Sequence, residues 1–151
     1  MDFTITNEQE MLRPSAREFL DAECPKSLMR TMETDDFGHS TEFWQKMASL
    51  GWLGMPSPEQ YGGTNFSFQD MAILLEEMGR SLSPGPFFST VGLCGQAILE
   101  AGTDNQKADF MTKIASGKLV MALAFTEPSA SYKPVAISVR AELSGGNYVI
   151  N

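Results

Sequence analysis

The spacing of apolar residues changes once along this chain, at Leu119. Before that point apolar side chains recur every three or four residues, which is the spacing of one face of an α-helix. From Leu119 the chain continues as an uninterrupted apolar run to Phe125. Beyond the run, apolar residues alternate with other residues as in a β-strand, at Val135, Ile137, Val139 and Ala141. The sequence therefore predicts a helical unit followed by strands.

Start and stop signals divide the helical unit into six predicted helices. Ser67 with Asp70, and Thr103 with Gln106, have the three-residue spacing of a capping box. Pro14 lies inside the first helix, where proline removes a backbone donor, and this predicts a kink or a late start. Further helix starts are predicted at Thr6 and at Ser40 or Thr41. Helix ends are predicted at Pro25, Gly51, Gly79, Gly102 and Gly117.

Composition excludes several classes of function. The 151 residues amount to about one domain. A net charge of -8 without a cluster of lysine or arginine argues against nucleic-acid binding. No apolar run approaches the roughly 18 residues that span a bilayer, which argues against a membrane protein. The start, Met1 to Thr4, lacks the pattern of a secretion signal, so a cytoplasmic location is expected.

Few residues form an obvious catalytic set. Cys24 and Cys94 are some seventy positions apart and are interpreted as reduced thiols without a metal. The single histidine, His39, is predicted to be solvated in a polar loop. Neighbouring helical side chains point about 100 degrees apart, so at most one of Glu76 and Glu77 could face a site. A charged outer face is the preferred interpretation of this pair.

Five short motifs occur in a fixed order along nearly the whole chain. Together they resemble the N-terminal part of the flavin-dependent acyl-CoA dehydrogenase family. The motifs are Leu50-Gly51-Trp52-Leu53-Gly54 with Pro58-Glu59-Gln60-Tyr61-Gly62-Gly63, Leu75-Glu76-Glu77-Met78-Gly79-Arg80, Gly102-Thr103-Asp104-Asn105-Gln106-Lys107, Ala115-Ser116-Gly117, and Ala124-Phe125-Thr126-Glu127-Pro128.

The resemblance implies a mainly α fold. Residues 1–118 would form the N-terminal helical domain of about six helices, and residues 119–151 would be the first strands of a truncated middle β-barrel domain. The C-terminal four-helix bundle of the family would follow and is absent. We therefore expect this chain to be part of a longer polypeptide.

The resemblance also implies an activity. The full-length protein is expected to be an oxidoreductase of acyl-CoA metabolism that uses FAD to oxidise the α,β bond of an acyl-CoA thioester to a trans-2-enoyl-CoA. The glutamate base and the remaining flavin contacts would lie beyond Asn151, so no catalytic residue is predicted here and the chain alone should be inactive. An electron-transferring flavoprotein would be the partner. The full-length form would be a homo- or hetero-oligomer, such as a tetramer.

Two groups of site residues follow from the resemblance. The cofactor-binding residues are predicted to be Leu123, Phe125, Thr126 and Ser131, with the Thr126 hydroxyl and nearby backbone N–H groups donating to the pyrimidine end of the flavin. The substrate-binding residues are predicted to be Tyr132, Phe87 and Phe88. From the local sequence alone, Thr126-Glu127-Pro128 could equally be a strand end with a capping turn.

The sequence departs from the family after Pro128. Family members usually continue as Gly-Ala-Gly-Ser-Asp, whereas this chain has Ser129-Ala130-Ser131-Tyr132-Lys133. Either Ser131 or Tyr132 supplies a substitute hydroxyl, or the ligand contact here is lost. The departure favours an alternative function, a non-catalytic dehydrogenase-like subunit or interaction module that completes a partner's site.

Overall fold

The computed structural model describes residues 5–129 and 131–150, so Met1–Thr4, Ala130 and Asn151 lie outside the described residues. The described part is mainly α, as predicted. The α-helices are α1 (Asn7–Glu23), α2 (Lys26–Met32), α3 (Thr41–Ser49), α4 (Phe68–Ser81), α5 (Gln96–Ala101) and α6 (Asp104–Ala115). A π-helix, Phe88–Gly95, leads directly into α5. Short 3-10 helices cover Trp52–Gly54, Glu59–Tyr61 and Pro134–Ala136, and two strands follow, β1 (Ala141–Ser144) and β2 (Asn147–Ile150).

Both predicted capping boxes are present. The Ser67 hydroxyl accepts from Asp70 N–H and the Asp70 carboxylate accepts from Ser67 N–H, at 3.3 and 2.7 Å. Thr103 and Gln106 make the same reciprocal pair at the start of α6. Thr6 caps α1 as predicted and also forms a capping box with Gln9. These caps satisfy backbone donors that have no partner within the helix.

The predictions at Pro14 and Gly79 have different outcomes. α1 is continuous through Pro14 and begins at Asn7, so the late start does not occur and the kink stays a prediction. Packing of α1 along α4 stabilises the helix despite the donor that Pro14 lacks. Gly79 does not end α4, which runs to Ser81 and is ended by left-handed Leu82 (φ 56°). Ser83 N–H donates to Met78 C=O at 2.9 Å there, which satisfies a carbonyl of the last turn.

The predicted fifth helix has two parts that the apolar spacing did not distinguish. Its first part, Phe88–Gly95, is π-helical, and only the second part, Gln96–Ala101, is α-helical. A π-helix contains more residues per turn than an α-helix and is often found at functional sites. The Phe88 ring lies over Gly92, where an added Cβ would meet it at 3.1 Å.

One apolar cluster is shared by the helices. Its fully buried members include Leu20, Met47, Leu53, Leu74 and Ile114. After α6 the chain contacts α3 at Gly117, whose carbonyl accepts hydrogen bonds from the Trp44 and Gln45 side chains. Gly117 is left-handed (φ 70°), as predicted for a residue that ends a helix. The helical part therefore has a core of its own.

The strand predictions are only partly correct. Among the described residues, 119–127 forms no strand, and the region from Val135 begins with a 3-10 helix, so the first strand starts at Ala141. A strand requires a hydrogen-bonded neighbour, and none of the described residues supplies a ladder to 119–127. Gly145 and Gly146 form a turn, with φ of 58° and 84°, and it joins β1 to β2 with Leu143 opposite Tyr148.

Candidate functional site

The segment 119–127 leaves α6 and runs over the helical part. Half-buried residues alternate with exposed residues along most of it, and Leu119 and Met121 pack against the core. Thr126 lies on the exposed set, while Phe125 is half-buried. The segment thus has the two-residue alternation predicted for a strand without the ladder of a strand.

Thr90 ties this segment to the π-helix. Its side chain is fully buried, and its Oγ1 both donates to Met121 C=O and accepts from Met121 N–H, each at 3.0 Å. One hydroxyl therefore satisfies both backbone groups of Met121. No sequence pattern singled out this residue, because its partner lies 31 positions away.

Glu127 holds the other end of the segment. Its carboxylate accepts from the Ser138 hydroxyl at 2.6 Å, from Ser138 N–H at 2.9 Å and from Val139 N–H at 2.9 Å. These bonds lower the pKa of Glu127 below its ordinary value. They also use the N–H groups that the predicted strand through Val139 would have needed. The loop that departs from the family is thus closed by a carboxylate.

Residues 122–126 lie between these two anchors. Within the described residues, no hydrogen bond reaches the backbone of 122–126 or the hydroxyl of Thr126. Leu123 is exposed beside it. N–H donors that have no partner among the described residues, followed by an exposed hydroxyl, match in kind the carbonyl and ring-nitrogen acceptors of a flavin pyrimidine. The donor set of this segment therefore suits the cofactor that the resemblance implies.

The residues after Pro128 meet the segment through one aromatic pair. The rings of Tyr132 and Phe125 are stacked with their centroids 6.2 Å apart. The Tyr132 side chain is 75% exposed, so this contact leaves most of it in solvent. Ser131 is half-buried, and its hydroxyl accepts from Lys133 N–H at 3.3 Å. Tyr132 and Ser131 are thus placed next to the predicted flavin contacts.

The predicted acyl contacts Phe87 and Phe88 line a separate cleft of about 280 Å³. The end of α4 and the start of the π-helix form its walls, with Leu75, Met78 and Leu82 among the apolar lining. Phe87 is buried in the core, whereas Phe88 is 57% exposed. The structure therefore places Phe87 and Phe88 in one cleft and stacks Phe125 on Tyr132, while Leu123, Thr126 and Ser131 lie in the same stretches of chain as the stacked pair.

The interpretation of Glu76 and Glu77 as an outer face is wrong for Glu77. Its side chain is 1% exposed and lies between α1 and α4. Arg17 binds both carboxylate oxygens, at 2.7 and 2.9 Å, and Arg80 and Arg13 bind it at 2.8 and 3.3 Å. The hydrogen bonds from Arg17, followed by those from Arg80, lower its pKa from 4.5 to about 2.

Glu76 points outward as predicted, with 65% of its side chain exposed. Two of the three arginines that bind its neighbour Glu77, Arg13 and Arg17, come from α1, some 60 residues earlier in the chain. Spacing within α4 could reveal only Arg80. The cluster serves to join the two helices and contains no group free to act as a base.

Cys24, Cys94 and His39 form no catalytic or metal-binding group with other described residues. Cys24 and Cys94 are free and buried, and burial raises the pKa of both thiols. His39 is half-buried, with Nδ1 3.0 Å from Phe37 C=O. Across residues 5–129 and 131–150, no group of three metal-ligating side chains comes together, and no helix is long and apolar enough to cross a membrane.

Comparison with known proteins identifies the family. The model of the acyl-CoA dehydrogenase N-terminal domain matches residues 6–118. The chain belongs to the acyl-CoA dehydrogenase family. The matched range coincides with the helices and ends where the predicted flavin segment begins, so the family assignment rests on the helical part.

Individual family members resemble almost the whole chain. Mitochondrial isovaleryl-CoA dehydrogenase from Bos taurus is 32% identical over 97% of the chain and 35% of its own length. A short-chain specific acyl-CoA dehydrogenase from Clostridium acetobutylicum is 34% identical over 100% of the chain and 40% of its own length. An acyl-CoA dehydrogenase from Bacillus anthracis solved with FAD superimposes with a TM-score of 0.81 at 26% identity, over 97% of this chain and 25% of that one. This chain spans about a third to two fifths of the length of these curated relatives.

Proposed function

We propose that this chain is the N-terminal portion of an FAD-dependent acyl-CoA dehydrogenase that oxidises the α,β bond of an acyl-CoA thioester to a trans-2-enoyl-CoA. FAD would supply the two-electron chemistry when bound. The observation that carries the proposal is the unpaired segment 122–126. It ends in the exposed Thr126 and is anchored against the helix that starts beside an apolar cleft.

The contribution of this chain is to bind and orient. Thr126 and its backbone neighbours would donate hydrogen bonds to the pyrimidine end of the flavin, where negative charge develops on reduction. Leu123 and Phe125 would supply apolar contact from the same segment. Ser131 and Tyr132 would stand at the edge of the site, where either hydroxyl could replace the family's serine.

The cleft at Phe88 would receive part of the acyl group. The exposed ring of Phe88 can contact a ligand, whereas the ring of Phe87 is buried in the core. Replacing Phe88 by Ala in the whole polypeptide should shift the preference among acyl-chain lengths. Phe87→Ala should also shift it, with an added loss of stability because a core ring is removed. An unchanged substrate profile in both variants would contradict an acyl site here.

The surface of the two strands is exposed to solvent. Every residue of β1 and β2 is exposed, and an isolated two-stranded hairpin is marginal in water. This supports the proposal that more strands of a β-domain pack there in the whole protein. The electron-transferring flavoprotein partner and the oligomer are part of the same proposal and derive from the resemblance. The cytoplasmic location is proposed alongside them.

One observation favours the alternative, a non-catalytic subunit that completes a partner's site. The stacked Tyr132 ring covers part of Phe125, and the Glu127 bonds hold the loop in that position. A flavin lying along the segment would have to share this surface with Tyr132. Replacing Tyr132 by Ser, the family's residue, should strengthen FAD binding if the ring obstructs the cofactor.

The visible spectrum of the purified whole polypeptide tests these alternatives. Flavin absorbance that is bleached by an acyl-CoA under anaerobic conditions is expected for the enzyme. A colourless protein that does not take up added FAD would contradict it and support the subunit. For the 151-residue chain by itself we expect no dehydrogenation and weak or no retention of FAD.

A matched pair of variants tests the role of Thr126. Thr126→Val removes the hydroxyl at nearly constant volume and should weaken FAD binding by about tenfold, since a hydrogen bond to a developing charge is lost. Thr112→Val, at an exposed position of α6, is the control and should leave FAD binding unchanged. Equal affinities in both variants would contradict the contact.

A further inference from the structure

Among the described residues, the hydroxyl of Thr90 makes the last hydrogen bonds between the helical part and the segment that carries Thr126. We infer that Thr90 is a positioning residue for the flavin contact. It would act through Met121 and would not touch the cofactor. This inference rests on the proposed function, because it takes Thr126 and its neighbours to be the flavin-binding segment.

The route from α6 to Met121 is anchored at successive points. Trp44 Nε1–H and Gln45 Nε2–H both donate to Gly117 C=O, at 3.2 and 3.0 Å. Leu119 N–H then donates to Lys113 C=O at 3.2 Å. Thr90 provides the next anchor, at Met121. Beyond it, within the part of the chain that the structure describes, the next side chain to hold the segment is Glu127.

The free stretch between these anchors is short. Thr126 lies five positions after Met121, which is about 17 Å of extended chain. Among the described residues, the hydrogen bonds that hold this stretch lie at its two ends, at Met121 and Glu127. A shift of Met121 would therefore be passed on to the donors that face the flavin.

A hydroxyl is suited to this role because it can donate and accept at once. It pairs both backbone groups of Met121, as a neighbouring strand would. Thr90 is fully buried, so water does not readily replace it if the hydroxyl is removed. Valine has the same shape but neither capacity, and it would leave the N–H and C=O of Met121 without this partner.

Thr90 also links the two predicted groups of ligand contacts. It lies in the π-helix two residues after Phe88, and its own N–H donates to Pro86 C=O at 2.9 Å. Its backbone is hydrogen-bonded next to the residues that line the proposed acyl cleft, and its side chain is hydrogen-bonded to the proposed flavin segment. The distance between cofactor and acyl group would depend on this one residue.

The test uses the whole polypeptide with Thr90→Val, Thr90→Ser and a control, Thr31→Val. The Thr31 hydroxyl bonds only within α2, to Ser27 C=O, and lies on the exposed surface. FAD binding is titrated by flavin fluorescence, and the absorption maxima of the bound flavin are recorded. Thr90→Val should bind FAD about tenfold more weakly and shift the maxima, because the donors are displaced. Thr90→Ser and Thr31→Val should stay within about twofold of the parent protein.

The outcomes separate the inference from the function on which it rests. A parent protein that binds no FAD would refute the proposed function. A parent that binds FAD, with Thr90→Val equal to it in affinity and spectrum, would overturn the inference alone. Equal weakening in Thr90→Ser would also overturn it, since the methyl group and not the hydroxyl would then matter.

A further variant keeps the test informative if Thr90→Val does not fold, as judged by circular dichroism. Thr90→Cys retains a side chain of similar size whose thiol is a poor hydrogen-bonding partner. It should bind FAD more weakly than Thr90→Ser and show the same shift in absorption. If the cysteine and serine variants match in both readouts, the hydroxyl does not position the segment.

Discussion

The helical part and the chain after Leu119 differ in how they bury their apolar side chains. In the helical part, buried apolar side chains from separate helices form one cluster, and the helix starts are capped by side chains close in sequence. After Leu119 the apolar residues are mostly exposed, with Val135 at 92% and Ile150 at 71%. The difference teaches that the first region carries its own core, while the second leaves most of its apolar side chains exposed.

The two regions also differ in how their backbone N–H and C=O groups are hydrogen-bonded. Helices pair their own N–H and C=O groups, so the first region is independent of distant partners. The second region has β1 and β2 paired with each other, and the segment before them is held by two side chains, Thr90 and Glu127. A backbone held only at its ends can offer free donors to a ligand.

The largest expected effect compares one leucine from each region. Leu74→Ala, at a fully buried site of α4, should lower the free energy of unfolding by about 2–5 kcal/mol, because it leaves a cavity in the core. Leu143→Ala, at a strand site that is 67% exposed, should change it by less than about 0.5 kcal/mol. Urea unfolding of the chain, followed by circular dichroism, measures both. Similar losses in the two variants would break the comparison.

The next effect tests the charge cluster within the helical part. Glu77→Gln removes the buried carboxylate between α1 and α4 and should lower the free energy of unfolding by about 2–3 kcal/mol. The partly exposed arginines can regain water, which keeps the loss below that of a fully buried pair. Glu76→Gln, its exposed neighbour, is the control and should cost less than about 1 kcal/mol. If both variants unfold at the same urea concentration, Glu77 does not join the helices as described.

The same carboxylate predicts how stability depends on pH. Its pKa is lowered from 4.5 to about 2 on folding, so its stabilising contribution is present above 4.5 and is lost as the pH falls toward about 2. Thermal melts of the parent chain between these values should show a steep fall in melting temperature. Glu77→Gln should show a shallower fall over the same interval. Parallel curves for the two proteins would contradict the assignment.

The smallest effect is a gain in stability from Gly79. This residue lies inside α4, and an added Cβ meets no atom within 4 Å. Gly79→Ala should therefore raise the free energy of unfolding by about 0.5–1 kcal/mol, through higher helix propensity. Gly102→Ala is the contrast and should destabilise, because its Cβ would lie 2.6 Å from Ile98 C=O. A loss of stability in Gly79→Ala would indicate that the helix ends there after all.

Short-range features were the ones that the sequence predicted well. The capping boxes at Ser67 and Thr103 depend on residues three positions apart, and the stops at Gly51 and Gly117 depend on one backbone angle. The helix end at Gly79 was wrong because Leu82 adopts the left-handed conformation that glycine usually provides. Leu82 lies where the chain turns into the cleft lined by Phe87 and Phe88, a tertiary feature that local propensity does not contain.

Long-range features escaped the sequence for a physical reason. Glu77 is buried because α1 lies against α4, and the arginines that pair with it lie 60 and 64 positions away or on its own helix. The apolar run after Leu119 has the composition of a strand, but strand formation needs a partner that the described residues lack. Its predicted flavin contacts stay a prediction, and the structure adds the two anchors that would place them.

The sequence by itself determined where most helices begin and end, since capping and helix termination use neighbouring residues. It also carried the ordered motifs of the acyl-CoA dehydrogenase family. Only the tertiary structure decided which polar groups are buried and which backbone groups stay free. The Thr90 hydroxyl acquired its role because folding brings it to Met121, 31 residues away, where it bonds to both backbone groups at once.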